Sequence, residues 1–326
     1  MSKPQRLRLL APLTLMFPSL LIGTHAAAQS NWPSGPIRLV VPFPPGGSSD
    51  ILGRLIADQI GKTLGANFFV ENKPGGTTQI GTEAVASSPA DGNTWLLAAA
   101  TSFTQLPNLR KLSYSLDSFE SAGGIADYIG VMAVRKTLPI KNMKEFVAYA
   151  KANPGKLSFG SAGEASAGHV FGLTLARDTG INVLHVPYKG SAAAVNGLLT
   201  EEIDFIIDGA VSPMVKADKV QPLCVFYSQR HPDLPAVPTL KESGFEITQS
   251  KSPGWGLLAP KGTPKAIVSQ MSNALRKALE TKSVQDALAR ANTIAAWMPP
   301  EEYGKALLND QKMYAELLPT IGIRGN

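Results

Sequence analysis

The chain has 326 residues, 44% of them hydrophobic and 17% charged, with 30 glycines, 25 prolines and one cysteine. That length provides for about two domains of ~150 residues with a sizeable core in each, and the charge fraction is too low for a mainly disordered chain. One cysteine excludes an internal disulfide framework and a cysteine-based zinc cluster, while the formal charge of +6 raises the question of an acidic partner.

The first residues account for half of that charge. Lys3, Arg6 and Arg8 precede an apolar run from Leu9 to Gly23, and Ala26, Ala27 and Ala28 follow. A basic start, a short apolar segment and a small-residue cleavage site predict a secretory signal over residues 1–28. The run contains Pro12 and Pro18 and is shorter than the ~20 residues of a membrane span. Cleavage after Ala28 removes three cations and no acid, leaving an exported, soluble chain with a charge of +3. Cys224 lies far from the cleavage region, so no lipid-bearing N-terminal cysteine arises. Four tryptophans and seven tyrosines without an interleaved basic tract argue against nucleic acid as a partner.

Short β-type runs then alternate with helical periodicity, the pattern of an α/β architecture with largely parallel sheets. Ile37 to Val41 reads as a buried strand, followed by the turn Pro42 to Asp50 and a helix whose buried face repeats at Leu52, Ile56 and Ile60. Phe68 to Val70 and Trp95 to Ala98 are the next strands, with a helix over Thr77 to Ala86 between them. From about Ile125 the pattern restarts. Strands are predicted at Gly130 to Val134, Leu157 to Gly160, Val183 to Val186, Ile203 to Ile207 and Val220 to Tyr227. Helices fall over Met143 to Ala152, Ser166 to Asp178 and Ser191 to Leu199. The tail adds a strand at Gly254 to Ala259 and helices at Pro264 to Glu280, Val284 to Ala291 and Glu301 to Leu317.

Three strands are few for an independent α/β sheet. The economical arrangement returns the tail to the first unit, giving one lobe from residues 29–124 plus 228–326 and an inserted lobe from 125–227. Two chain crossings then form a hinge over a cleft.

Candidate chemistry lies in the glycine- and serine-rich turns that join a strand to a helix: Pro44 to Ser49, Ser161 to Ser166 and Lys189 to Ser191. Each exposes backbone N–H groups at a helix start, where the dipole is equivalent to roughly +0.5 charge and a small anion binds without arginine. Ser48 or Ser49 caps the first helix, and Asp50 there has a sufficient explanation in the dipole. His169, in the first turn of its helix, either donates to a ligand or satisfies a neighbouring carbonyl. Asp208, at the end of its strand, either faces the cleft or caps the turn before Gly209. Spacing leaves both pairs of readings open. No Gly-x-Ser-x-Gly elbow, P-loop or dinucleotide fingerprint is present, and His169, His185 and His231 lack close metal-ligand spacing. The expectation is therefore no enzyme, no metal and no cofactor.

Ile37 to Asp50 resembles the first strand and ligand loop of the Bug family, the extracytoplasmic solute receptors of tripartite tricarboxylate transporters. The likeness continues through Glu71-Asn72-Lys73-Pro74-Gly75-Gly76, Ala90 to Thr94, Val186 to Gly190, Leu234 to Leu240 and Trp255 to Pro264, over nearly the whole mature chain. The resemblance implies a two-lobed periplasmic binding protein of type II-like α/β fold that closes on a small carboxylated solute. It places Phe43, Pro44, Gly46, Gly47 and Ser48 on the carboxylate, with Thr101 and Ser102 facing the ligand from the same lobe. Across the cleft it implies Ser161, Ala162, Gly163, Ser166 and His169, the turn Gly190-Ser191-Ala192, and Asp208. It further implies a monomer in the periplasm that hands its solute to membrane components of a tripartite tricarboxylate transporter. A ligand-sensing co-receptor of a membrane sensor kinase would use the same cleft. The loop before Ser166 departs from the family pattern, with Ala165 where a glycine is usual and Glu164 adding an acid.

Overall fold

The computed structural model describes residues 32–46, 48–249, 253–290 and 293–325. The predicted export segment lies outside the described residues. The chain begins with β1 (Ile37–Val41), α1 (Ser48–Leu64), β2 (Phe68–Asn72), α2 (Gln79–Ala86) and β3 (Thr94–Ala99). Two short helices follow, α3 (Thr101–Thr104) and α4 (Leu106–Leu109), and then the long strand β4 (Phe119–Tyr128). After the single residue Ile129 come β5 (Gly130–Arg135), α5 (Met143–Ala152), β6 (Leu157–Ser161), α6 (Ala167–Thr179), β7 (Val183–Pro187) and α7 (Ser191–Leu199). β8 (Phe205–Ile207), α8 (Ser212–Lys216) and β9 (Val220–Phe226) complete that set. The chain ends with β10 (Trp255–Pro260), α9 (Lys265–Glu280), α10 (Lys282–Arg290), β11 (Thr293–Met298) and α11 (Pro300–Thr320).

The strands form two sheets, ordered β11-β4-β10-β3-β1-β2 and β7-β6-β8-β5-β9. The chain passes from the first sheet to the second through Ile129 alone and returns between Phe226 and Trp255. Both sheets are mixed, which corrects the expectation of largely parallel ones. β1 runs parallel to β2 and β3, and β6 to β7 and β8. β10 runs antiparallel to β3 and β4, β11 to β4, and β5 to β8 and β9. The strands at the crossings run against both neighbours, β5 on entering the second sheet and β10 on re-entering the first.

β4 and β11 are absent from the sequence-based reading. β4 carries Gly123, Gly124 and Asp127, residue types depleted in strands. Its pairing with β10 on one side and β11 on the other overrides that weak propensity. Gly123 has φ +122, and a Cβ there would stand 2.7 Å from the Met298 carbonyl oxygen and 2.8 Å from the Trp297 ring. Glycine is required by the close approach of β11.

The first sheet is covered on both faces. Leu39 and Val41 join Leu52, Ile56, Ile60 and Leu275 in one core, while Val40 points oppositely, toward Leu96, Leu258, Tyr303 and Leu307. Each such side chain, fully buried, contributes about 1.5–3 kcal/mol. The second sheet buries Phe146, Phe159 and Phe205 as a contiguous aromatic group. α11 spans both sets: Tyr303 and Leu307 pack under the first sheet, and Tyr314, Leu317 and Leu318 pack on Val170 of α6. Arg177 of α6 donates to the Thr320 hydroxyl at 2.8 Å. No helix among the described residues is long and apolar enough to cross a membrane.

Candidate ligand-binding cleft

A cavity of about 1220 Å³ takes its walls from both sheets and from the crossings between them. Phe43, Ser49, Thr77, Thr78 and Thr101 come from the first set of elements, and Ala162, Glu164, Ser166 and Phe171 from the second. Asp127, Tyr128, Phe226, Tyr227 and Trp255 stand at the crossings, with Trp297 and Tyr314 supplied by the tail. Among the described residues its walls hold eight aromatic side chains and two acids, and no lysine, arginine or histidine.

The first loop is braced by Asp50. Its carboxylate accepts N–H bonds from Gly46 at 2.9 Å, Arg54 at 3.1 Å and the Asn72 amide at 2.9 Å. Asn72 also donates to the Phe43 carbonyl, which ties β2 to the loop. The Arg54 bond, with that from Gly46, holds the Asp50 pKa down to about 2. Asp50 therefore does more than complement the helix dipole: it fixes the loop's path. Ser49 accepts from the Trp255 indole N–H at 3.2 Å, joining the loop to β10. Pro44 and Gly46 are exposed and stand off the cavity wall, while Gly47 and the Ser48 side chain lie outside the described residues.

Beside this loop, Gly75, Gly76, Thr77 and Thr78 all have positive φ, at 129°, 58°, 53° and 78°. Two successive threonines in the left-handed region are strained, because a branched Cβ crowds the backbone there. Thr78 shares a 2.6 Å hydrogen bond with Ser102, which is fully buried and off the wall, and the Ser102 carbonyl accepts from Tyr114. Thr101, its neighbour, is on the wall.

In the second set, Ser166 caps α6 by accepting the His169 N–H, and Ala165 N–H donates to His169 Nδ1 at 3.0 Å. Nδ1 is thus the unprotonated nitrogen of His169. Its ring stacks on His185 with centroids 3.7 Å apart, and His185 Nε2 meets the Ser161 hydroxyl at 2.7 Å. Burial, then the neighbouring His185, holds His169 down to about 4, and burial also lowers His185 against the opposing pull of Glu164. Glu164, His169 and His185 offer three donor atoms within 4.8 Å of one another. The two rings stack with planes 12° from parallel, and His169 Nδ1 already accepts the Ala165 N–H. His169 and His185 brace the loop from behind, as do Ser161 and Gly163, whereas Ala162 and Ser166 reach the wall.

Ser191 donates to Asp208 at 2.7 Å, and Asp208 accepts from Ala210 N–H at 2.9 Å, the turn-capping arrangement. Gly190, Ser191, Ala192 and Asp208 stand off the wall. Their link to it is Tyr128, whose hydroxyl accepts from Gly209 N–H at 2.8 Å. The sequence-based reading passed over Thr77, Thr78, Asp127, Tyr128, Tyr227, Trp255 and Trp297. The one local signal was Asp127, an acid inside an apolar stretch.

Residues 52–322 match the tripartite tricarboxylate transporter family receptor, TctC. The chain belongs to this family. A relative from Cupriavidus necator, the UPF0065 protein in the gbd 5' region, is 35% identical over 93% of each chain. The solved periplasmic binding protein BugD is 32% identical, with a TM-score of 0.74 over 90% of this chain and 100% of BugD. An R. palustris protein solved with adipate is 28% identical, with a TM-score of 0.78 over 91% of this chain and 100% of its own. The two-lobed periplasmic binding protein fold expected from the sequence is the fold of this TctC chain, and the Bug-type resemblance holds.

Proposed function

We propose that this TctC chain is a periplasmic receptor that captures a small carboxylated solute between two lobes and delivers it to the membrane components of a tripartite tricarboxylate transporter. The lobes are residues 29–124 with 228–326, and 125–227, hinged at Ile129 and at the return to β10. The observation that carries the reading is the cavity itself, which takes walls from both sheets and sets the hydroxyls of Ser49, Thr77, Thr78, Thr101 and Ser166 and loop backbone among its aromatic rings. A carboxylate fits such a wall through N–H and O–H donors and the start of α6. Adipate in the R. palustris relative supports the same ligand class. A ligand that touches both lobes favours the closed state by its differential affinity.

Thermal unfolding with mono-, di- and tricarboxylates, amino acids and aromatic acids tests the reading. A ligand at 100 times its Kd stabilises by about 2.7 kcal/mol, a readily measured shift. A folded protein that none of these stabilises would sink it.

A further inference from the structure

Asp127 lies on β4 in register with Ile294 of β11, two residues before the crossing at Ile129. Its carboxylate accepts the backbone N–H of Tyr128 at 2.8 Å and that of Gly254, and the residue forms part of the cavity wall. Among the described residues no lysine, arginine or histidine pairs with it. The ionisable groups that face it are Asp310, Tyr303 and Tyr314 of α11, and Tyr227 beyond β9. Burial, reinforced by Asp310, pushes its pKa up to about 6. At neutral pH the carboxyl is therefore mainly ionised, at a site that water solvates poorly.

A half-buried carboxylate on the cavity wall with no described cation beside it is costly to keep charged. Glu164 adds a second acid to the same wall, and no described wall residue is basic. A ligand bearing two or three carboxylates would bring further negative charge into that space. Trp255, Trp297 and Tyr227 stand on the same wall, and aromatic rings attract a cation at their faces. We propose that Asp127 holds a cationic nitrogen of the solute, so that the captured molecule is an aminocarboxylate zwitterion and not a di- or tricarboxylate. The inference rests on the receptor reading above.

The test measures calorimetric affinity of the purified exported protein for three pairs that differ by an ammonium group: L-phenylalanine and 3-phenylpropanoate, 6-aminohexanoate and hexanoate, 4-(aminomethyl)benzoate and 4-methylbenzoate. In at least one pair the cationic member is expected to bind tenfold tighter or better. Asp127→Asn should reduce that preference below twofold while sparing the uncharged partner. In the wild type, with no variant to misfold, the preference should fall by up to tenfold per unit as the pH drops below about 6. Binding of both members of a pair with equal affinity, or a preference that survives Asp127→Asn, overturns the inference and leaves the receptor reading standing. Failure of all six compounds, and of the wider carboxylate panel, removes both. Lys251 lies outside the described residues, two positions from the wall residue Pro253, and Lys251→Met is the remaining arm. An unchanged preference supports a ligand cation; a preference that exists only in Lys251→Met shows that Asp127 has an internal partner and overturns the inference.

Discussion

Replacing Asp127 with asparagine should make the ligand-free protein more stable, although the substitution removes a charge from the binding cavity. The folded-state pKa is raised from 3.8 to about 6, chiefly by burial. A raised carboxyl favours the folded state only while protonated, so its stabilising contribution is complete below the unfolded pKa and is lost as pH rises through about 6. Two pKa units correspond to about 3 kcal/mol of penalty at pH 8, and to about half of that at pH 5, where the native carboxyl is mostly protonated. Asparagine keeps a carbonyl oxygen to accept the Tyr128 N–H bond while removing the charge. His169 and His185, whose lowered pKa values also make stability depend on pH, are common to both proteins and cancel in the difference. Urea denaturation of both proteins at pH 5 and pH 8, with matched m-values, gives the quantity directly. A variant less stable than wild type at pH 8, or a difference that stays the same at both pH values, would refute the argument.

The remaining predictions concern the β6–α6 loop and the core. Ser166→Ala removes the cap on α6 and should cost about 1 kcal/mol in denaturation. His169→Ala leaves the Ala165 N–H without its acceptor and should weaken carboxylate binding about tenfold, a loss of ~1.4 kcal/mol by calorimetry, in a protein that still folds. Unchanged affinity in both variants would show that the loop is not part of the site. Ala165 has φ +57, so Ala165→Gly relieves a left-handed alanine and should gain up to about 1 kcal/mol, read from the urea midpoint. Cys224 is fully buried and its thiol pKa is pushed far up by burial, so a thiol reagent should label it only in denaturant. Labelling of the native protein would contradict the packing of β9.

What the sequence made legible were features encoded within a few turns of chain. Leu52, Ile56 and Ile60 announce their helix because every fourth residue meets the same core. The glycine-rich turns announce helix starts, and Ala165 stands out as the alanine where a left-handed conformation calls for glycine. β4 was hidden because its residues favour a strand only when β10 and β11 flank them, and those partners lie more than a hundred residues away. The site divides in the same way. Phe43, Thr101, Ala162 and Ser166, implied by the family resemblance, reach the wall, whereas His169 and Asp208 turn inward to hold backbone N–H groups.

Asp127 shows the physical reason most sharply. Judged by strand propensity it weakens β4, and judged by burial it destabilises the folded protein. Neither cost is explained within its own stretch of sequence. The explanation requires Trp255 from the return crossing, Trp297 from β11 and Glu164 from the β6–α6 loop, which together make a wall rich in rings and acids. Packing alone would favour an uncharged residue at this position. Beyond the backbone N–H groups it accepts, a solute of opposite charge would offset the cost of an ionised carboxyl there, so the locally unfavourable residue is the one that describes the ligand.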